Sequence, residues 1–321
     1  MKLFPLHLIP NDTKYDFMRL RTVSLVVAAL IAAVCIGAIV TRGFNFAMDF
    51  TGGIEVEMRF EKAADVDGVR DRIEAAGLHN ARVTTRGSGT DLVVRLQAPE
   101  GKSDSETTTR IARELIQAAS TADNKATMQG REFIGSQVGE ELTRNAIYAA
   151  IFVVIGFLIY IGFRFEWKFA VVATLTTIND VLIVAGFFAL TGKEFDLTVL
   201  AGLLSVMGFS INDTIVVFDR VRENFRSMRA DPMTVLNASI NQTLSRTIIT
   251  SLVFFLSVLA LYLYGGGSLE GLAITQMIGA IFGTLSSIFL ACPLLTLGFL
   301  KVTKQDLLPK AQDLEALARR P

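Results

Sequence analysis

Six long apolar runs constrain the fold of this 321-residue chain more than any other feature. A bilayer core of about 30 Å needs about 20 helical residues, so an almost uncharged run of about 18 residues or more predicts a membrane-spanning helix. Composition agrees with this reading, since 51% of the residues are hydrophobic and only 19% are charged. The runs are 22–41, 146–163, 169–191, 197–218, 247–264 and 271–300. We predict a polytopic α-helical membrane protein with six transmembrane helices.

Lysine and arginine are distributed unequally between the two sides of these runs. They concentrate in residues 1–21, in the loops after the second and fourth runs and in residues 301–321, whereas the short loops 192–196 and 265–270 contain Lys193 alone. The positive-inside rule therefore predicts that both termini are cytoplasmic. A cleaved signal peptide is the alternative for the first run, but its apolar core is too long and no A-x-A site follows. The predicted order is a cytoplasmic N-terminus (1–21), a first span (22–41), an external domain (42–144), spans two to six (145–300) and a cytoplasmic tail (301–321).

The external segment 42–144 has the pattern of a small folded domain. Residues 54–60 (IEVEMRF), 81–86, 92–97 and 126–134 are predicted strands, and residues 66–76 and 105–119 have helical spacing. The order β-α-β-β-α-β is that of a ferredoxin-like split unit, and a different α+β meander is the alternative. The segment has no recognisable nucleophile–base pair, metal set or phosphate loop. We expect a docking, substrate-contacting or closing role for this domain and no enzymatic one.

Cysteine and histidine are too few and too scattered to indicate a metal or haem site. Cys35 and Cys292 lie inside apolar runs, and His7 and His79 are the two histidines. We expect no metal and no cofactor, with both cysteines as small packing residues. Basic and acidic residues are equal at 31 each, and no basic stripe is present, so no nucleic-acid partner is expected.

Asp213 and Arg246 are ionisable residues at the cytoplasmic end of two predicted spans. A charge inside a span costs roughly 2.5–3.5 kcal/mol, so it normally faces a protein interior and a partner. Asp213 precedes Asp219 by six residues, which places it about 9 Å into the membrane, and Arg246 begins the fifth span on the same side. A proton on Asp213 would release Arg246, so the two form a candidate proton switch. A static ion pair and an Arg246 that snorkels alone are the alternatives.

Asp180 is the other buried acid, near the bilayer midplane of the third span. It extends a candidate polar path through neighbouring amides and hydroxyls, and a protonated Asp180 that serves packing is the alternative. The other members of this path are Asn179, Thr177, Asn212 and Thr214. Two weaker patterns accompany it: a charged run at 219–224, typical of a solvated anchor, and a GxxxG pattern at 279–283 that permits close helix approach.

Three segments resemble those of the SecD/SecF family of protein-export membrane proteins, within the resistance-nodulation-division superfamily. The resemblance spans nearly the entire chain, and its second segment is long and highly specific. The segments are 48–53 (MDFTGG) with Asp49, Phe50, Gly52 and Gly53; 208–224 (GFSINDTIVVFDRVREN) with Asp219, Arg220, Arg222, Glu223 and Asn224; and 244–247 (LSRT) with Thr250 and Ser251.

The resemblance implies a subunit of the bacterial inner membrane that works with SecD. The complex would use the proton-motive force to help pre-proteins leave the Sec channel, with Asp213 and Arg246 tied to proton flow. Superfamily exporters have twelve spans in two halves, so SecD is expected to supply the second half. Some relatives have a His-Asp pair where this chain has Asn179 and Asp180, which leaves titration at Asp180 open. The rival functions are half of a small-molecule exporter and a structural subunit that supports a proton-conducting SecD.

Overall fold

The computed structural model describes residues 13–78, 81–86, 89–96 and 105–303 of the chain. The described elements, in chain order, are α1 (Arg21–Arg42), β1 (Asn45–Phe46), α2 (Met48–Thr51), β2 (Gly53–Phe60), α3 (Val66–Ala75), β3 (Arg82–Arg86), β4 (Asp91–Leu96), α4 (Ser105–Ala119), β5 (Ala126–Ile134), α5 (Ser136–Arg164), α6 (Trp167–Thr191), β6 (Glu194–Phe195), α7 (Leu197–Ser227), α8 (Pro232–Tyr264) and α9 (Glu270–Ser286). Contacts divide them into two compact units. The insert unit comprises Asn45–Ile151 and Glu194–Leu197, and the other described residues form the membrane unit.

Six helices of the described chain are long and apolar enough to cross a membrane, which confirms the six predicted spans. They are Phe17–Arg42, Gln137–Arg164, Trp167–Thr191, Leu197–Ser227, Pro232–Tyr264 and Gly267–Leu294. Several helices run beyond the apolar runs that predict them. Helix α5 begins at Ser136, α7 continues to Ser227 and α8 begins at Pro232, where the Asp231 carboxylate accepts a hydrogen bond from the Thr234 amide. Hydropathy detects only the part of a helix that lies in lipid, so these polar extensions escape it.

The sixth run does not form one continuous helix to residue 300. Helix α9 ends at Ser286, a π-helical turn follows at Ser287–Ala291, and a short turn at Cys292–Leu294 ends the span. Leu295 and Leu300 lie beyond the helix yet are buried in the membrane unit. The predicted span 271–300 is therefore too long, because its helix ends at Leu294. Of the apolar side chains beyond it, Leu295 and Leu300 are buried, whereas Leu297 and Phe299 are exposed.

Small residues bring the membrane helices close together. A β-carbon added at Gly186 of α6 would lie 2.4 Å from the Cys35 β-carbon of α1, so these helices touch almost backbone to backbone. Cys35 and Cys292 are both buried and free, which confirms their prediction as packing residues. In the most apolar window of each span, 50–56% of residues are buried for α6, α7 and α9, but only 6–17% for α1, α5 and α8. Helices α6, α7 and α9 therefore form the interior of the membrane unit, and α1, α5 and α8 present apolar faces outward.

The insert unit contains a four-stranded antiparallel sheet in the order β3-β4-β2-β5. Its elements follow the predicted β-α-β-β-α-β sequence, with α3 and α4 as the two helices. Ile54, Val56, Met58 and Phe60 of β2 alternate along the strand and are at most 3% exposed, so they form the core together with residues of both helices. Gln97 and the turn residues 87–88 of the prediction lie outside the described residues.

A short parallel strand pair, absent from the sequence prediction, completes the insert unit. Strand β1 pairs with β6, which places the loop between α6 and α7 in the same unit as the inserted sheet. Arg95 of β4 bridges Glu55 of β2 and Glu194 of β6. Burial alone would lower the Arg95 pKa, but the hydrogen bonds and charges of the two glutamates raise it above its ordinary value.

Candidate functional site

Asp213 lies on the inward face of α7 and is only 4% exposed. Its direct partner is the Ser251 hydroxyl of α8, which donates to Asp213 Oδ2 at 3.1 Å. The Thr284 hydroxyl of α9 in turn lies 2.7 Å from Ser251 Oγ. A chain of two hydroxyls therefore runs from the carboxylate to a third helix.

Arg246 does not form a direct ion pair with Asp213 among the described residues. Its side chain is exposed, and its charge acts on Asp213 from a distance that exceeds a salt bridge. Asn212 is also exposed, although Asp213 beside it on α7 is buried. The sequence predicts a site between the fourth and fifth spans, and the structure brings Ser251 of α8, and neither Arg246 nor Asn212, into contact with the Asp213 carboxylate.

Asp180 of α6 is fully buried and is held by hydroxyls from two other helices. Ser210 of α7 donates to Asp180 Oδ2, and Ser286 of α9 donates to the same oxygen at 2.8 Å. The other carboxylate oxygen, Oδ1, has no hydrogen-bond partner among the described residues, and the Thr177 hydroxyl on α6 likewise has none. A buried carboxylate with one unsatisfied oxygen and no cation beside it is costly when ionised.

Helix α9 reaches both carboxylates because two glycines let it lie against α7. A β-carbon added at Gly279 would lie 2.2 Å from a Val206 methyl, and one added at Gly283 would lie 3.3 Å from the Ser210 β-carbon. The GxxxG prediction of close helix approach is thus confirmed. Sequence reasoning missed Thr284 and Ser286, whose only signal is a hydroxyl within an apolar run beside the glycines.

The charged run 219–224, in the C-terminal part of α7, does more than anchor the helix in water. Asp219 accepts a hydrogen bond from Arg164 at the end of α5, and Arg222 contacts Glu166, 2.8 Å away, in the loop that follows. Asn224 is 5% exposed and donates to Ser239 and Gln242 of α8, each at 2.9 Å. Arg220 and Glu223, by contrast, pair with each other at the surface. Three of the five predicted residues of this run therefore tie helices together.

The segment 48–53 forms a tight corner in the insert unit. Asp49 accepts a hydrogen bond from the Leu197 amide at 3.1 Å, and the Phe50 ring packs on Phe46 and Phe195. Gly52 and Gly53 have φ angles of +67° and +147°, which residues with a β-carbon rarely adopt. A β-carbon on Gly53 would also lie 2.6 Å from the Leu96 carbonyl oxygen. These residues build the corner of the insert unit.

An apolar cleft of about 300 Å³ lies in the membrane unit between α1, α6 and the α9 segment. Its walls are aliphatic and aromatic apart from Ser24, Asn179 and Ser286. Most of this lining is apolar, and Ser286, which donates to Asp180, is part of it.

Six apolar helices with two carboxylates buried among their hydroxyl groups define a polytopic membrane protein with a polar interior site. The model of the SecD/SecF protein export membrane protein C-terminal region matches residues 114–300, and the SecD/SecF GG motif matches residues 37–64. The protein translocase subunit SecF of Pseudomonas aeruginosa is 42% identical over 92% of this chain and 94% of its own. The chain therefore belongs to the SecD/SecF family of protein export membrane proteins.

Two longer relatives have the same region within a larger chain. The protein translocase subunit SecDF of Brucella abortus is 36% identical over 94% of this chain, which spans 39% of that protein's length. The crystal structure of SecDF from Thermus thermophilus, a translocon-associated membrane protein, superposes with a TM-score of 0.80 at 36% identity. That match covers 91% of this chain and again 39% of the longer one.

Proposed function

We propose that this chain is an accessory subunit of the Sec protein translocase that, with a SecD partner, uses the proton-motive force to promote pre-protein export. Membership of the SecD/SecF family and the translocase-subunit names of its relatives support the role in export. The coupling to protons rests on Asp213. It is a transport role, and no chemical reaction is assigned to the chain.

The observation that carries the proposal is that Asp213 is buried with a neutral hydroxyl as its direct partner. Leaving an ionised carboxylate there without a counter-charge costs several kcal/mol, on the order of 3 kcal/mol. Two changes remove this cost: a proton on the carboxylate, or the approach of a cation. Arg246, on the same helix as Ser251, is the cation whose charge already reaches the site.

In the proposed cycle, Asp213 is neutral while Arg246 is turned away. Loss of the proton leaves a carboxylate that attracts Arg246, which shifts α8 relative to α7. Return of a proton from the side of higher proton potential reverses the shift. One elementary charge that crosses the membrane supplies about 2.3 kcal/mol per 100 mV, enough to bias two helix packings that differ by a similar amount.

Asp180 and Asn212 take different parts in the proposal. Asp180 is a second buried acid whose hydroxyl partners come from α7 and α9, so it is placed to follow the same helix movement. Asn212 is exposed on the outward face of α7, and we assign it to the surface that meets the partner chain. The polar-path role expected for Thr214 has little support, because its hydroxyl lies 3.4 Å from a carbonyl of its own helix.

We further propose that the insert unit is a ferredoxin-like periplasmic domain and that both termini are cytoplasmic. The strand order β3-β4-β2-β5 supports the first part, since it is the order expected of a ferredoxin-like split unit. The basic residues of the membrane unit support the second, because contacts gather them at one end of the helices. Lys168 bonds the Lys301 carbonyl, Arg164 bonds Asp219, and the Phe17 amide bonds Asn237.

SecD is the proposed partner because a SecDF relative contains this region within a longer chain. The match covers 39% of that SecDF chain, which leaves 61% for a further part. The outward apolar faces of α1, α5 and α8 provide the area for such a partner and for bilayer lipid. The Sec channel and translocating pre-proteins complete the proposed assembly in the inner membrane.

The proposal is tested by reconstituting the chain with its SecD partner and the Sec channel in vesicles and measuring pre-protein export. Export should be stimulated by an imposed proton gradient, and Asp213→Asn should abolish the stimulated part while leaving the basal part. The matched control is Asp231→Asn, which removes an exposed carboxylate at the start of α8. A proton-gradient response that survives Asp213→Asn would leave only a structural role for this subunit.

A further inference from the structure

Two of the hydroxyl residues of helix α9, Thr284 and Ser286, are two positions apart, and each contacts a different buried carboxylate network. Thr284 reaches Asp213 through Ser251, and Ser286 contacts Asp180 directly. No other helix of the described chain makes hydroxyl contacts to both networks through residues so close together, and none of the predicted site residues lies on α9.

Each of these hydroxyls also has a second acceptor, a backbone carbonyl of α9 itself. Thr284 Oγ1 lies 2.7 Å from Ser251 Oγ and 2.7 Å from the Ala280 carbonyl oxygen. Ser286 Oγ lies 2.8 Å from Asp180 Oδ2 and 3.0 Å from the Gly283 carbonyl oxygen. A hydroxyl has a single proton, so it donates to one of its two acceptors at a time. Both residues are therefore placed to choose between the carboxylate network and their own helix.

The charge of the carboxylate decides this choice. An ionised carboxylate can only accept, so Ser251 donates to Asp213 and Thr284 donates to Ser251. A neutral Asp213 has one O–H to donate, and when that proton points at Ser251 the chain reverses: Asp213 donates to Ser251, Ser251 donates to Thr284, and Thr284 donates to the Ala280 carbonyl. Every group keeps a partner in both states, and only the hydroxyl protons rotate. Likewise, when a neutral Asp180 donates its one proton to Ser286 rather than to Ser210, the Ser286 hydroxyl turns to the Gly283 carbonyl.

We propose that Thr284 and Ser286 are positioning residues that register the protonation of Asp213 and Asp180 by turning their hydroxyls between the carboxylate networks and the carbonyls of α9. This inference rests on the proposed function and deepens it. Thr284 and Ser286 lie just before the π-helical segment Ser287–Ala291. A π-helical turn is a helix irregularity that often marks functional sites. A change in side-chain bonding to the carbonyls of 280 and 283 therefore acts on α9 where its geometry is already altered.

The charged and titratable groups around the two networks are few. Arg246 of α8 is the charged group that acts on Asp213. The groups that contact Asp180 are Ser210 of α7, Ser286 of α9 and Asn179 on its own helix, all uncharged. Because no titratable side chain of α9 takes part, the two hydroxyls follow the carboxylates and do not titrate themselves.

The test uses the full chain reconstituted with SecD in lipid bilayers and infrared difference spectra recorded across pH. The band of a protonated carboxylic acid is followed, with Asp213→Asn and Asp180→Asn assigning its two components. Thr284→Val, which keeps the shape but removes the hydroxyl, should shift the titration midpoint of Asp213 by about half a pH unit and leave Asp180 unchanged. Ser286→Ala should raise the midpoint of Asp180 by about one unit, because a donor to the charged form is lost.

Two controls separate this role from a loss of packing. Thr284→Ser retains the hydroxyl and should restore the wild-type titration. Ser287→Ala removes a buried hydroxyl that bonds the Thr284 carbonyl of its own helix at 2.9 Å, and it should leave both midpoints unchanged. Wild-type titration in both Thr284→Val and Ser286→Ala would overturn the inference while leaving the proton role of Asp213 intact. Loss of that proton role would appear separately, as an Asp213 component that does not titrate.

Discussion

The contact between α9 and α7 at Gly279 predicts a large penalty for a single added methyl group. A β-carbon there would lie 2.2, 2.8 and 3.1 Å from the Cγ2, Cγ1 and Cβ atoms of Val206, whereas apolar atoms in contact normally lie about 4 Å apart. Rotating the Val206 side chain does not clear its own β-carbon, so the helices must separate. Overpacking of this kind costs about 1–3 kcal/mol, offset by about 1 kcal/mol from the better helix propensity of alanine.

Gly279→Ala is therefore expected to lower the free energy of unfolding by about 1 kcal/mol, the middle of the range that remains after the offset. Gly208→Ala is the matched control, because a β-carbon at Gly208 of α7 meets nothing within 4 Å and should be neutral or slightly stabilising. Val206→Ala alone should cost about 2 kcal/mol through the cavity it leaves. In the double variant the new methyl fills part of that cavity, so the two costs should fall short of their sum by at least about 1 kcal/mol.

The assay is equilibrium denaturation of the full chain in lipid nanodiscs, with unfolding followed by thiol labelling of Cys292. This cysteine is fully buried, and a Cys35→Ala background leaves it as the single thiol. Additive costs in the double variant, or a Gly279→Ala protein as stable as Gly208→Ala, would refute the claim that this glycine sets the distance between α7 and α9.

Three further predictions concern the insert unit and the charged end of α7. Gly53→Ala should weaken the amide hydrogen-exchange protection of the sheet by at least about 2 kcal/mol, because the new β-carbon meets the Leu96 carbonyl oxygen. Gly77→Ala is the control, because Gly77 has a positive φ but open space around it, and it should cost about 1 kcal/mol. Equal effects of the two substitutions would contradict the clash at Gly53. A hydrogen bond from Arg59 and its charge hold the pKa of Asp91 below its ordinary value. This pair therefore stabilises the sheet above about pH 4, and its contribution is lost as the pH falls through the pKa of the folded state. Asp91→Asn should remove that part of the pH dependence of amide hydrogen exchange in the sheet. Asn224→Ala should lower the free energy of unfolding, measured by thiol labelling, by about 1–2 kcal/mol, because the buried Ser239 and the exposed Gln242 of α8 both lose their donor. An unchanged value would refute that role.

Periodicity and hydropathy predict most of the elements of this fold from the sequence. The alternation at 54–60 predicts β2 because its buried side chains recur every second residue, and the six apolar runs predict the spans because lipid excludes charge. Strands β1 and β6 escape prediction for a physical reason. Each has two residues, too few for a pattern, and they pair across 149 positions, from Asn45 to Glu194.

The candidate site is predictable in part. The depth of Asp213 follows from its distance along the helix to the charged boundary, and this places it correctly beside the fifth span. The face of a neighbouring helix does not follow from depth, so Arg246 at the right level still has an exposed side chain and Ser251 takes the contact. The hydroxyls of Thr284 and Ser286 can each bond a carbonyl of α9 itself, as such residues do in any helix, so the sequence shows no sign of a further partner. Only the packing of α9 on α7 and α8 reveals their contact with the carboxylates.

Proton flux tests the central claim most directly, namely that Asp213 takes up and releases a proton during the working cycle. Vesicles that contain the chain and its SecD partner, with a pH-sensitive dye inside, would be given a proton gradient during pre-protein export. Wild-type vesicles should acidify in proportion to export, and Asp213→Asn should reduce the flux to that of empty vesicles while Asp231→Asn leaves it unchanged. Unchanged flux together with unchanged export in Asp213→Asn would contradict the account.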